Sequence, residues 1–197
     1  MSRTNGGRSA GQVDRFARAC GVLAPVAALT GIGLAIAFTP SFSWASSALS
    51  DLGTPGAPVP WLFNGGLILG GVLALPFAWW HWRRARTRVG RSVPVALAGA
   101  GLALAGIGVF PSGTALHFPF AAGFYLLLTY TLFLDGSVRA LAGTLRRGLA
   151  WIWVGIGHLT GWLLWALAGV GGLAVPEAFG ALLFTAWLLA SALGDGR

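Results

Sequence analysis

Long apolar blocks alternate with short polar ones along this chain. Six blocks, at about residues 16–38, 61–82, 92–110, 118–138, 148–168 and 174–193, each hold close to the roughly 20 residues a helix needs to cross a hydrocarbon core at about 1.5 Å per residue. A backbone in lipid has no water to bond with, so each block is expected to pair its own N–H and C=O groups as an α-helix. The pattern predicts an all-α fold, a single bundle of six transmembrane helices with polar tails at 1–15 and 194–197. Six crossings bring both termini to one side.

The polar blocks are of two kinds. Arg3, Arg8, Arg15 and Arg18 accompany the start of the first block; Arg83, Arg84, Arg86, Arg88 and Arg91 lie between blocks two and three. Arg139, Arg146 and Arg147 lie between blocks four and five, and Arg197 ends the chain, whereas the connections at 39–60, 111–117 and 169–173 contain no arginine. Under the positive-inside rule both termini and the arginine-bearing connections face the cytoplasm, in the cytoplasmic membrane, and the arginine-free ones face out. Tryptophan favours the membrane interface, and Trp44, Trp61, Trp79, Trp80, Trp82, Trp151 and Trp153 are expected to act as depth anchors, with Trp162 and Trp165 nearing the outer end of block five. The basic start followed by "SWA" at 43–45 also resembles a signal peptide, but the first apolar run is longer than the usual 7 to 15 residues of such a segment, so a retained helix is expected.

Composition narrows the class further. Of the 197 residues 56% are hydrophobic and 9% charged, too few charges to coat a water-facing surface. The net charge of +8 comes with 13 arginines and no lysine, clustered at block ends rather than along a surface, which argues against a nucleic-acid partner. Cys20 is alone, so an intrachain disulfide is excluded; it reads as a small apolar residue, with palmitoylation a minor alternative. The 31 glycines fit a bundle in which small residues let helices approach, and Gly66-x-x-x-Gly70, Gly157-x-x-x-Gly161 and "AGAGLALAGIG" at 98–108 carry that spacing.

The few polar side chains can be surveyed almost completely. Asp14 and Asp195 belong to the tails; Asp135 precedes Arg139 by four residues and is expected to pair with it at the inner interface; His81 sits among interfacial tryptophans. His158 falls near the bilayer centre, where an interhelical hydrogen bond is the expected role and a proton relay the alternative. Asp51, His117 and Glu177 come from three different arginine-free connections and are expected at the same membrane face, joined by Ser50, Asn64 and Ser112. Three roles are open to this group: a hydrogen-bonded loop cluster, a ligand or lipid-headgroup site, and catalysis with His117 as base or with His117, Asp51 and Glu177 around a divalent metal. Ser50 lacks the glycine-flanked elbow that presents a catalytic serine. The run of Arg83, Arg84, Arg86, Arg88 and Arg91 is expected to attract anionic lipid headgroups.

The segments "ALSDLG", "NGGLILGG", "GIGVFP" and "LHFPFA" together resemble, in order and spacing, the domain of unknown function 998 family of prokaryotic membrane proteins. Its most specific pieces are Ser50-Asp51-Leu52-Gly53, Asn64, Gly108-Val109-Phe110-Pro111 and His117. The family often follows an acid with arginine in the last segment; Glu177 matches the acid, and Ala178 departs from the pattern. The resemblance implies that Asp51, Asn64, His117 and Glu177 are emphasised positions, without implying a reaction or cofactor. More distantly, the layout is similar to six-helix autophagy-modulator and lipid-anchor-remodelling membrane proteins. The resulting expectation is a non-catalytic membrane protein that engages lipid headgroups, or another membrane protein, through Ser50, Asp51, Asn64, His117 and Glu177. A membrane-embedded enzyme acting on a lipid or lipid-linked substrate is the alternative, and a small-solute transporter the third reading.

Overall fold

The computed structural model describes residues 4–194, with side chains from residue 11 onward; Arg3, Asp195 and Arg197, and the side chain of Arg8, lie outside the described residues. Every long element is helical: α1 Thr4–Ala37, α2 Pro60–Arg84, α3 Arg88–Val109, α4 His117–Leu141, α5 Leu145–Ala168 and α6 Ala174–Gly194. Among the described residues six helices are long and apolar enough to cross a membrane, the first over Gly11–Ala37. Their ends fall close to the block edges, except that α1 starts well before its apolar segment. Pro60 opens α2 where its missing N–H costs nothing, and Thr87 caps α3 by accepting from the Gly90 N–H at 2.9 Å. Gly169, at φ +65°, ends α5 in a left-handed turn that a side chain would strain.

Each helix packs on its sequence neighbour from α1 to α5, and α6 closes the bundle more sparsely against α1, α4 and α5. Lipid tails are as apolar as leucine, so close packing has to supply what hydrophobic burial supplies in water. Glycine pairs do this at three seams. A Cβ on Gly66 would sit 2.9 Å from Gly31 Cα in α1, and one on Gly101 would sit 2.8 Å from the Gly71 carbonyl in α2. A Cβ on Gly136 of α4 would lie 2.7 Å from the Gly148 carbonyl of α5. Gly70 also meets α1, so the Gly66/Gly70 spacing is used; Gly157 faces open space and Gly161 meets only the Phe179 ring, so the spacing in α5 is not. Spacing alone does not say which face of a helix turns inward.

At the arginine-rich end, α1, α2 and α6 are joined by charge and rings. Asp14 pairs with Arg84 at 3.0 Å and Arg83 at 3.8 Å, while Arg18 donates twice to the Ala192 carbonyl at the end of α6. Trp79 and Trp82 are exposed as interfacial anchors should be. Trp80 is not: it is buried in the core, stacked on the Phe77 ring, with the Arg84 guanidinium 4.3 Å from its ring centroid. Arg83 and Arg91 lie similarly over Trp79 and Trp82. Of the five arginines expected to face lipid, these three are already partly engaged within the protein. Cys20 is buried in the bundle and inaccessible to an acyl donor.

Candidate functional site

The arginine-free end is built by the long connection between α1 and α2. Residues 49–53 form a short 3-10 turn that the block pattern did not disclose, because five residues are too few to show a period. Asp51 holds its entry by accepting from the Ala48 N–H at 2.8 Å, and the Asn64 amide donates to the Gly53 carbonyl at 2.9 Å, fastening its exit to α2. The connection also docks on the α5–α6 loop. Ser47 O accepts from the Leu173 and Ala174 N–H groups, Gly172 N donates to Ala45 O, and the Trp165 indole donates to Gly172 O at 2.6 Å.

Glu177 lies in the first turn of α6, where the helix dipole favours a carboxylate. It is 8% exposed, accepts from the Leu49 N–H at 2.6 Å, and is also faced by the Ser50 N–H. Backbone N–H groups buried without a partner are costly, and this side chain satisfies two of them. The Tyr125 hydroxyl donates to the Glu177 carbonyl at 3.2 Å, joining α4 to α6. His117 begins α4, and its Nδ1 lies 2.9 Å from the Phe110 carbonyl at the end of α3. A carbonyl only accepts, so Nδ1 carries the proton, and Nε2 of the neutral ring keeps a lone pair.

Ser50, His117, Tyr125 and Glu177 share one feature. They line one end of a cavity of about 70 Å³ enclosed by α1, α2, α3, α4 and α6. The rest of the lining is almost wholly apolar, from Leu29 and Ile32 past Phe63, Leu104 and Phe124 to Phe184 and Leu188. Thr185 is the exception, and its hydroxyl is spent on the Ala181 carbonyl at 2.8 Å. Asp51, Asn64 and Ser112 do not line the cavity, so the expected cluster divides into residues that fasten the loop and residues that face an interior space. No three His, Cys, Asp or Glu side chains among the described residues are grouped to hold a metal ion. Asp51 and Glu177 are turned to backbone N–H groups instead.

Two polar groups lie away from this end. His158 is fully enclosed between Thr129 of α4, 2.7 Å from Nδ1, and Trp162, whose indole donates to Nε2 at 3.1 Å. An indole N–H only donates, so Nε2 is unprotonated and the ring is neutral; Nδ1–H donates to Thr129, whose own proton goes to the Tyr125 carbonyl. Every polar atom of His158 is thereby used inside the bundle, and the cavity does not reach it. Asp135 pairs with Arg139 at 2.7 Å as the spacing predicts, and one of its oxygens also accepts from the Trp187 indole of α6 at 2.9 Å. The sequence held no signal for that second bond, which joins positions 52 residues apart.

Among the described residues, six helices long and apolar enough to cross a membrane define a multi-pass membrane protein, and five of them line the cavity. The chain belongs to the DUF998 family, described as "Protein of unknown function (DUF998)", whose model matches residues 22–194. Searches of curated proteins and of solved structures found no match. The more distant likeness to autophagy-modulator and lipid-anchor-remodelling proteins has no support in these comparisons.

Proposed function

We propose that this protein is a non-catalytic component of the cytoplasmic membrane that holds the apolar chain of a bilayer amphiphile in its central cavity, with the headgroup at Ser50, His117 and Glu177. The arginine-free end faces outward in this reading, because the arginine-bearing connections favour the cytoplasm. One observation carries it: the cavity is apolar along its length and polar at one end only. From Glu177 to Leu188 along α6 it runs about 16 Å at 1.5 Å per residue, the reach of a medium-length alkyl chain. The sparse packing of α6 against its neighbours offers such a chain a way in from the bilayer.

The enzyme reading has less behind it. His117 keeps Nε2 without a partner, but Asp51 is turned to the Ala48 N–H and, among the described residues, no hydroxyl or thiol is hydrogen-bonded to the imidazole. A transporter would need a polar path past His158, and that side chain is sealed by Thr129 and Trp162. The test is uptake of radiolabelled dodecanol by the protein in phosphatidylcholine nanodiscs, against Ala121→Trp, which fills the cavity from α4. One saturable chain bound by the unmodified protein and lost in the variant is expected. Equal uptake by both would overturn the reading.

A further inference from the structure

The chemistry at the polar end of the cavity also selects among headgroups. This step rests on the cavity holding an apolar chain. Glu177 is more than nine-tenths buried there, and among the described residues no ion pair reaches it: the three ion pairs present all involve Asp14 or Asp135. A carboxylate can accept about four hydrogen bonds, and the two N–H groups of Leu49 and Ser50 leave it unfilled. His117 adds a second acceptor, since Nδ1 is committed to Phe110 and Nε2 has no partner among the described residues. Asp51 is close enough to act electrostatically on Glu177 and adds a further negative charge. The connections at this end contain neither arginine nor lysine. Acceptors and negative charge therefore meet at the mouth of an apolar cavity with no basic side chain to balance them.

The geometry points to a single-chain amphiphile bearing a primary ammonium head as the ligand of this cavity. The ammonium has three N–H donors for the Glu177 carboxylate and His117 Nε2, and its charge supplies the missing counter-ion. A phosphate or carboxylate head would meet the Glu177 carboxylate, with Asp51 adding its charge from outside the cavity, and no arginine or lysine lines that end. A quaternary ammonium would balance the charge but donate no hydrogen bond.

The experiment compares dodecylamine, dodecyltrimethylammonium, dodecanol and dodecanoate, each displacing radiolabelled dodecanol from the protein in phosphatidylcholine nanodiscs at pH 8. Dodecylamine is expected to bind about tenfold or more tightly than dodecanol, with dodecyltrimethylammonium between them and dodecanoate weakest. Glu177→Gln, which keeps one carbonyl oxygen for Leu49, should remove the amine preference while dodecanol still binds, showing that the cavity is intact. Lysophosphatidylethanolamine separates two sources of the ammonium. Glu177-dependent binding of this lipid marks a lipid head, and binding of dodecylamine alone marks a free amine; both outcomes support the inference. If the four chains bind alike, or if Glu177→Gln leaves the amine preference in place, the ammonium assignment fails and the cavity reading stands. If none binds, both fail.

Discussion

Substituting Gly71 by alanine tests whether backbone contact holds the bundle together. The added Cβ would strike the Gly101 carbonyl of α3 and lie 2.7 Å from Ala105 N and 2.9 Å from Ala105 Cβ. Two of these three neighbours are backbone atoms in a helix, so no flexible side chain can yield. Restoring ordinary contact requires α2 and α3 to part by several tenths of an ångström along a seam where Gly101 makes the reciprocal approach to the Gly71 carbonyl. Overpacking of this kind costs about 1–3 kcal/mol, with the rigid partner pointing to the upper part of that range. Gly157→Ala is the matched control, because its Cβ meets nothing within 4 Å and alanine is the better helix former by up to about 1 kcal/mol. Reversible unfolding in bicelles, followed by steric trapping or denaturing-detergent titration, should rank the proteins Gly157→Ala at or above wild type and Gly71→Ala well below. Gly71→Ala as stable as Gly157→Ala would refute the argument that the α2–α3 seam rests on glycine contact.

Thr129→Val leaves the His158 Nδ1–H without an acceptor and should destabilise the same unfolding transition by about 0.6–1.7 kcal/mol, whereas Thr160→Val, at an exposed position of α5, should not. Asp135→Asn weakens the bonds from Arg139 and Trp187 in a buried setting and should cost more than Asp14→Asn, whose exposed pairs with Arg83 and Arg84 are worth at most about 1 kcal/mol; equal losses in the two variants would contradict the burial argument. Single cysteines at Ala57 and Thr87 in a Cys20→Ser background test the orientation: a membrane-impermeant maleimide added to intact cells should label the first and spare the second.

The sequence disclosed the helices far better than their faces. Block length encodes a membrane crossing directly, so five of the six helices begin and end within a few residues of the apolar blocks. Which side of each helix turns inward is another matter. In water a helix announces its buried face by a period of apolar positions; here lipid and core are equally apolar, and the period is lost. Gly157 and Gly71 look alike in the sequence and differ completely in what they touch. For the same reason the cavity was not legible, since it depends on which faces of five helices meet. Charge was legible: the arginine-free connections bring Ser50, His117 and Glu177 to one end because an even number of helices separates each of these connections from the next. The burial of Trp80 was not, since it depends on which face of α2 turns toward the core, where its ring stacks on Phe77.

The structural role of that end and the ligand-binding role proposed for it would draw on the same atoms, and this decides which substitutions are informative. Glu177 and His117 each give one polar group to a neighbouring backbone and keep another for the cavity. Alanine at either position removes both at once, and a loss of binding would then say nothing about the ligand. His117→Asn separates them: the side-chain amide nitrogen can take the place of Nδ1 and donate to the Phe110 carbonyl, while the Nε2 acceptor disappears. If Nε2 receives an ammonium proton, this variant keeps its unfolding midpoint and its dodecanol binding but loses several-fold in dodecylamine affinity, whereas His117→Ala loses stability as well. A charge-assisted hydrogen bond is worth roughly 1.5–3 kcal/mol, enough to make the loss measurable. His117→Asn binding dodecylamine as tightly as the unmodified protein would confine the role of His117 to fastening α4 to the end of α3, and would leave Glu177 as the cavity's one recognition group.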